Sequence, residues 1–282
     1  MKLIDSISFP GSALTGGLKT GTGDDRYAFD EAAGWACVID GATDVGPVRI
    51  FKAAESDAAR YAEIFAAEIV AGPADPREIP QAWFARLLPR LRKAVEREAK
   101  IPLKDAPRSS YPTAAATWVR VKNGKVEGAT LGDSIAIVRT PAGEITVLGE
   151  ASKPADEQKR AQTVMAKTQE ERLKWLADVR AIHNTPNGYW VFGVQPEAAA
   201  RIVYQTADAP AGTQVLVMTD GFYRLVSPYQ KYTDEQLIDA VVARGLGELM
   251  RELRGMETSA ADDAEIGRFK TSDDATALLI EI

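Results

Sequence analysis

AGWACVIDGATDVG, residues Ala33–Gly46, is the stretch on which the fold turns. Trp35, Ala36, Cys37, Val38 and Ile39 form a short apolar run of the buried-strand type, and Asp40 follows at the rim of that hydrophobic layer, where Gly41 lets the backbone bend at once. A carboxylate placed there needs compensation, because burying an unpaired charge costs several kcal/mol or more. Asp40 is therefore solvated at a turn, paired with a base, or bound to a cation, and the surrounding sequence has to decide.

Upstream, Tyr27–Asp30 and Trp35–Asp40 read as two strands joined by the short turn Glu31–Gly34, an antiparallel hairpin. Asp24 and Asp25 precede its first strand and Asp40 ends its second. In an antiparallel pair the start of one strand lies beside the end of the next, so these carboxylates are expected to share one edge.

Composition sets the limits around this hairpin. The 282 residues, 45% apolar, can build a full core, and nothing reads as a linker, so a single domain over 1–282 is expected. The apolar runs are far shorter than the roughly 18 residues of a membrane span. The opening MKLIDSISFPGS has an acidic residue at position 5 and no continuous apolar core, so no secretory signal is read. Cys37 is the only cysteine and falls in a strand, which fits a reducing compartment and points to the cytoplasm. A net charge of −6 argues against a nucleic-acid or anionic-membrane surface.

After an irregular opening and the hairpin, Phe51–Val70 and Ile79–Lys100 carry apolar residues at helical spacing, with Pro89 expected to kink or interrupt the second helix. Ile101–Pro112 reads as a loop. From Thr113 the period becomes two: Ala114–Val121, a Lys122–Lys125 turn, Val126–Leu131, Ser134–Thr140 and Ile145–Leu148 read as an antiparallel meander interrupted at Gly132-Asp133-Ser134. Ala151–Val179 is strongly charged and reads as a surface flap. Gly188–Gln195 is aromatic and apolar; Ile202–Thr206 and Gln214–Thr219 read as strands, the second ending on Asp220-Gly221. Helical patterns follow at Asp234–Ala243 and Leu246–Met256, and Thr271-Ser272-Asp273-Asp274 leads into a last strand, Ala275–Ile282.

Aspartates thus recur at strand ends: Asp24/Asp25, Asp40, Asp220 and Asp273/Asp274, with Asp133 a fifth candidate. Each alone is an ordinary turn residue. Together they outline an all-oxygen pocket, and hard oxygen ligands without a Cys or His cluster select Mg²⁺ or Mn²⁺ rather than zinc.

The series GDDRYAFD, CVIDGATDVG, ATLGDSIAIV, VLVMTDGFYRLV and SDDATALLIEI resembles, in order and spacing over residues 20–282, the motifs of the metal-dependent protein phosphatases of the 2C type. The resemblance implies an α+β fold, a four-layer αββα sandwich of two packed antiparallel sheets flanked by helices, with a two-metal centre at one end. By position, Asp40 would bridge two Mn²⁺ or Mg²⁺ ions and the Gly41 carbonyl would bind one of them. Asp220 and Asp273 would complete one shell, and an acidic residue of Asp24/Asp25 the other; Asp40 and Asp220 are thereby the catalytic candidates. The implied reaction is direct hydrolysis of phosphoserine or phosphothreonine by a metal-activated water, on a phosphorylated protein and in opposition to a kinase, by a monomer.

Three departures accompany the resemblance. Ala42 stands where many members carry a histidine after the Asp-Gly pair. Thr20 stands where a phosphate-gripping arginine is usual, leaving neighbouring Lys19 as the candidate cation. Arg224 stands where an acid often helps Asp133 hold a third metal, which puts that metal in question and leaves Asp133 as a brace. His183, the only histidine, is read as a solvated loop imidazole, Arg108 as a loop residue, and Trp83, Trp118, Trp175 and Trp190 as packing. Two competing functions follow from the departures: a phosphatase-shaped binding module with little turnover, and a phosphatase of a small phosphorylated metabolite.

Overall fold

The computed structural model describes residues 1–14, 19, 23–52, 54–72, 78–150, 164, 168–259 and 269–282. Its centre is a pair of five-stranded antiparallel sheets. One is built from β2 (Arg26–Asp30), β3 (Trp35–Gly41), β4 (Ala114–Lys122), β5 (Lys125–Leu131) and β8 (Val203–Asp208), in the order β2-β3-β4-β5-β8. The other is built from β1 (Lys2–Phe9), β6 (Ile135–Arg139), β7 (Ile145–Leu148), β9 (Gln214–Met218) and β10 (Ala275–Glu281), in the order β1-β10-β9-β6-β7.

Alternation along the central strands explains the layers. A strand sends successive side chains to opposite faces, and both faces of these strands are apolar. Ala36 and Val38 of β3 meet Ala136, Val138, Val215, Val217, Leu278 and Ile280 in the core between the sheets. Cys37 and Ile39 point the other way, into a core shared with α1 (Asp57–Val70) and α2 (Pro80–Glu98). Leu216, Met218, Ala277 and Leu279 likewise face α5 (Asp234–Arg244) and α6 (Leu246–Ser259). The result is the αββα sandwich. Among the described residues no helix is long and apolar enough to cross a membrane.

Three differences from the sequence expectations emerge. The opening is not irregular: β1 pairs with β10 as an edge strand, and its half-exposed side chains hide the period of two. The β-rich middle is not one meander, because β5 lies in one sheet and β6 in the other, with Gly132-Asp133-Ser134 as the crossover. Helix α2 continues through Pro89. Of the charged flap, α3 (Gln169–Ala181) is described, opened by a Thr168–Glu171 capping box, while 151–163 and 165–167 lie outside the described residues.

The crossover depends on Gly132, whose φ is +98° and where an added Cβ would sit 2.8 Å from Ala115 Cα. Substituting Gly132→Ala should therefore cost about 1–3 kcal/mol, read as a lower urea midpoint with an unchanged slope. Gly124→Ala, at φ +70° with open space around it, should cost less; equal losses would contradict this account of the crossover.

Candidate metal centre

The register of the sheets gathers the aspartates. Met218 pairs with Ile135 on one side and Ala277 on the other, so the residues just past β9, just before β6 and just before β10 fall at the same end of their sheet. Those residues are Asp220, Asp133 and the pair Asp273/Asp274. In the facing sheet Arg26 pairs with Ile39, which places Asp25 beside Asp40, while Gly41 closes β3 opposite Ala114. Asp220 opens the single helical turn α4 (Asp220–Tyr223), and Gly221 lets that turn lie against the start of β10, where any Cβ would run into the Asp274 carbonyl.

At this end the carboxylate oxygens of Asp40, Asp133 and Asp220 lie within 4.8 Å of one another. Near enough for its charge to act on Asp40 is Asp25, only 1% exposed. Its Oδ2 accepts a 2.9 Å hydrogen bond from Thr219 Oγ1, and its buried Oδ1 has no hydrogen-bond partner. Burial, then the charge of Asp274, raises the Asp25 carboxyl well above the ordinary carboxylate range. Asp40 is raised in the same way, by burial and then by Asp220, Asp25 and Asp133. A buried orphan oxygen among mutually repelling carboxylates, with no nitrogen or sulfur donor in the group, fits a hard divalent cation such as Mg²⁺ or Mn²⁺.

The neighbouring acids are placed differently. Adjacent residues of an extended chain point to opposite sides, and Asp24 turns away from the cluster, ion-paired to Lys19 and accepting from Ser56 Oγ at 2.5 Å, so Asp25 is the member of that pair that faces Asp40. Asp274 accepts from Gly11 N at 2.8 Å and pairs with Lys19 at 2.5 Å. Lys19 is thus held between two carboxylates, and Thr20 lies outside the described residues. Asp273 is gripped on both oxygens: Arg224 Nη2 donates to Oδ2 at 2.8 Å, and Lys270 pairs with Oδ1. Burial works upward on Asp273, but Lys270 and Arg224 hold its carboxyl well below the usual range.

Three residues of this end escaped the sequence reading. Asp44 accepts from the backbone of Asp57 and Ala58 at 2.8 and 3.0 Å, tying the loop after β3 to the start of α1. Lys270 reaches both Asp273 and Thr43 Oγ1, the latter at 3.1 Å. Arg180, from the last turn of α3, donates to the Ala42 and Thr43 carbonyls at 3.4 and 3.2 Å, directly after the Asp40-Gly41 pair. Burial draws its guanidinium down to about 10, with Asp44 and Asp40 working the other way. Only Asp44, four residues after Asp40 in DGATD, stood near a readable motif; Arg180 is one charge among many on α3.

Arg108 is not a free loop cation. It donates to the Ala181 and His183 carbonyls at 3.0 and 2.8 Å and so anchors the C-terminal end of α3, while Trp175 stacks on Phe269 with centroids 5.5 Å apart. His183 lies edge-on to Tyr189. Trp83 and Trp118 are core residues, and Trp190 lies under Arg201.

An αββα sandwich with an acidic cluster at one end is the frame of the candidate site, and comparison with known proteins gives its family. The sequence model of the protein phosphatase 2C family matches residues 20–256, and the chain belongs to that family. Solved structures share the fold. The Mycobacterium tuberculosis serine/threonine phosphatase PstP/Ppp superposes with a TM-score of 0.58 at 14% identity, over 98% of this chain and 97% of that one. The catalytic domain of PstP in complex with two manganese ions gives 0.53 at 15% identity, over 98% and 96%. The S. agalactiae serine/threonine phosphatase gives 0.55 at 14%, over 99% and 98%. Among curated proteins none matches.

The raised carboxyls make a prediction with a definite sign. The native state binds protons at Asp25 and Asp40 more tightly than the unfolded chain does, so stability falls as pH rises above the unfolded value of about 4. The depressed Asp273 carboxyl works in the opposite direction, but only at and below that value. Chelator-treated protein should therefore lose melting temperature between about pH 5 and pH 8, Mn²⁺ should restore more of it at pH 8 than at pH 5, and Asp40→Asn should raise the melting temperature of the chelated protein at pH 8. A flat profile in the wild type, or a lower melting temperature in the variant, would contradict the clustering.

Proposed function

We propose that the chain is an Mn²⁺- or Mg²⁺-dependent phosphatase of phosphoserine and phosphothreonine in proteins, acting in the cytoplasm in opposition to a kinase, with residues 1–282 as one domain that works as a monomer. The observation that carries this is the convergence of the Asp40, Asp133 and Asp220 carboxylates within 4.8 Å of one another, near the buried Asp25, whose Oδ1 has no hydrogen-bond partner. Divalent ions held there by Asp25, Asp40 and Asp220, with the Gly41 carbonyl, would lower the pKa of a coordinated water and offset charge developing on the phosphoryl oxygens.

The protein's own groups supply orientation. With Lys19 committed to Asp24 and Asp274, the phosphate-binding cation is Arg180, whose guanidinium has donors beyond the two it spends on Ala42 and Thr43 and can offer them as a fork to a phosphate. Its position is supported from behind by Arg108, which pins the end of α3. Ala42 provides no side-chain acid next to the cluster, so protonation of the leaving serine or threonine oxygen falls to solvent.

A second reading, a phosphatase-shaped binding module with little turnover, is favoured by one observation: Asp273 is already ion-paired to Arg224 and Lys270. The two separate in one assay. The phosphatase reading expects release of phosphate from a phosphothreonine peptide that requires added Mn²⁺ and falls by at least about a hundredfold in Asp40→Asn or Asp220→Asn. Turnover that persists in chelator would sink it, and no turnover at any Mn²⁺ concentration would favour the binding module. Arg180→Ala should raise the peptide KM by roughly tenfold while leaving Mn²⁺ affinity unchanged.

A further inference from the structure

A row of polar side chains crosses the metal end of the sandwich and finishes on one of the carboxylates. Ser8 of β1, Thr276 of β10 and Thr219, directly after β9, come from adjacent strands of one sheet, and Asp25 stands just before β2 of the other. Ser8 pairs with Thr276 in register, and their hydroxyls lie 2.8 Å apart. The Thr276 backbone N–H donates to Thr219 Oγ1 at 3.0 Å, and the Thr219 N–H donates back to the Thr276 carbonyl at 3.0 Å. Both threonines are fully buried.

This arrangement decides where the Thr219 proton goes. A hydroxyl has one proton to give, and its oxygen here already accepts from Thr276. Two acceptors stand in reach: Asp25 Oδ2 at 2.9 Å and the Thr276 carbonyl at 3.4 Å. The shorter contact is also the one to a carboxylate, and hydrogen bonds to an ionised acceptor are the stronger kind. Asp25 is therefore tethered through Oδ2. Its Oδ1, buried and without a hydrogen-bond partner, is the oxygen it has left for a cation. A valine at position 219 would fill much the same space without the hydroxyl, whereas a serine would keep it. Packing alone therefore does not account for the hydroxyl, and the tether on Asp25 does.

We infer that Thr219 is a positioning residue of the metal centre: its hydroxyl fixes Oδ2 of Asp25 and so holds Oδ1 ready for an Mn²⁺ or Mg²⁺ ion. The inference rests on the metal-centre reading above but not on the identity of the substrate.

Calorimetric titration of the full, chelator-stripped chain with Mn²⁺ alone tests it without any phosphatase assay. Thr219→Val should weaken Mn²⁺ binding by about ten- to a hundredfold, and Thr219→Ser should bind Mn²⁺ as the wild type does. In an Asp25→Asn background Thr219→Val should add no further loss, because the hydroxyl acts only through that carboxylate. Thr219→Ala carries the same expectations if Thr219→Val does not fold. A hydroxyl that merely seals the sheet would lower the melting temperature on removal and leave Mn²⁺ affinity where it was, which would overturn the inference. So would a loss that persists in the Asp25→Asn background, or a serine variant as weak as the valine one. A wild type that binds no Mn²⁺ would overturn it together with the metal-centre reading. Metal binding as described with no release of phosphate would sink the phosphatase reading and leave this one standing.

Discussion

Repulsion between buried carboxylates is the constraint on which this molecule is arranged. Asp25, Asp40, Asp133 and Asp220 are brought together by sheet register, not by sequence proximity, and the sandwich has to bear the electrostatic cost whenever nothing positive lies among them. Two of the four are pushed toward the protonated state. The surrounding cations form a partial shell: Lys19 pairs with Asp24 and Asp274, Arg224 and Lys270 with Asp273, and Arg180 donates to the Ala42 and Thr43 carbonyls, while the charges of Arg224 and Arg180 also bear on Asp220 and Asp40. Hard oxygen donors gathered in this way suit a divalent ion, which would place positive charge at that point without another bulky side chain.

The same end of the fold explains how a flap becomes part of a site. Helix α3 buries none of its residues, so it has little packing energy of its own. What places it is a set of discrete contacts: Arg108 on its last carbonyls, Trp175 stacked on Phe269, and Arg180 on the loop after β3. Phe269 is followed by Lys270, which touches both Thr43 and Asp273. Helix α3, the loop after β3 and the segment leading into β10 therefore meet beside the Asp40 turn through discrete contacts, polar and aromatic, and not through the hydrophobic core.

How much of this could be read beforehand divides along physical lines. The β2–β3 hairpin was legible because a buried apolar run ending in Asp-Gly is a local signal, and antiparallel geometry put the Asp24/Asp25 pair at the same edge as Asp40 without choosing between its two members. The helices expected over Phe51–Val70 and Ile79–Lys100 showed in their apolar spacing and form at Asp57–Val70 and Pro80–Glu98, the first starting at its Ser56 cap and not at Phe51. The assignment of β5 and β6 to different sheets was not legible, because the period of two is the same on either side of Gly132 and the backbone conformation there leaves no mark beyond a glycine. Edge strand β1 was lost for a related reason: its side chains are half exposed, so no face is cleanly apolar. Within the site, the choice between Asp24 and Asp25 is a matter of one residue of register. The capture of Asp273 by Lys270 and Arg224, and the arrival of Arg180, are tertiary contacts between segments far apart in the chain.

The central claim, that these distant aspartates share one cation site, is tested most directly by anomalous diffraction at the manganese edge from crystals grown with Mn²⁺. The account predicts a strong peak bounded by the carboxylates of Asp25, Asp40, Asp133 and Asp220. Manganese density elsewhere on the surface with none between Asp40 and Asp220, or Asp25 found turned away from that point, would contradict it.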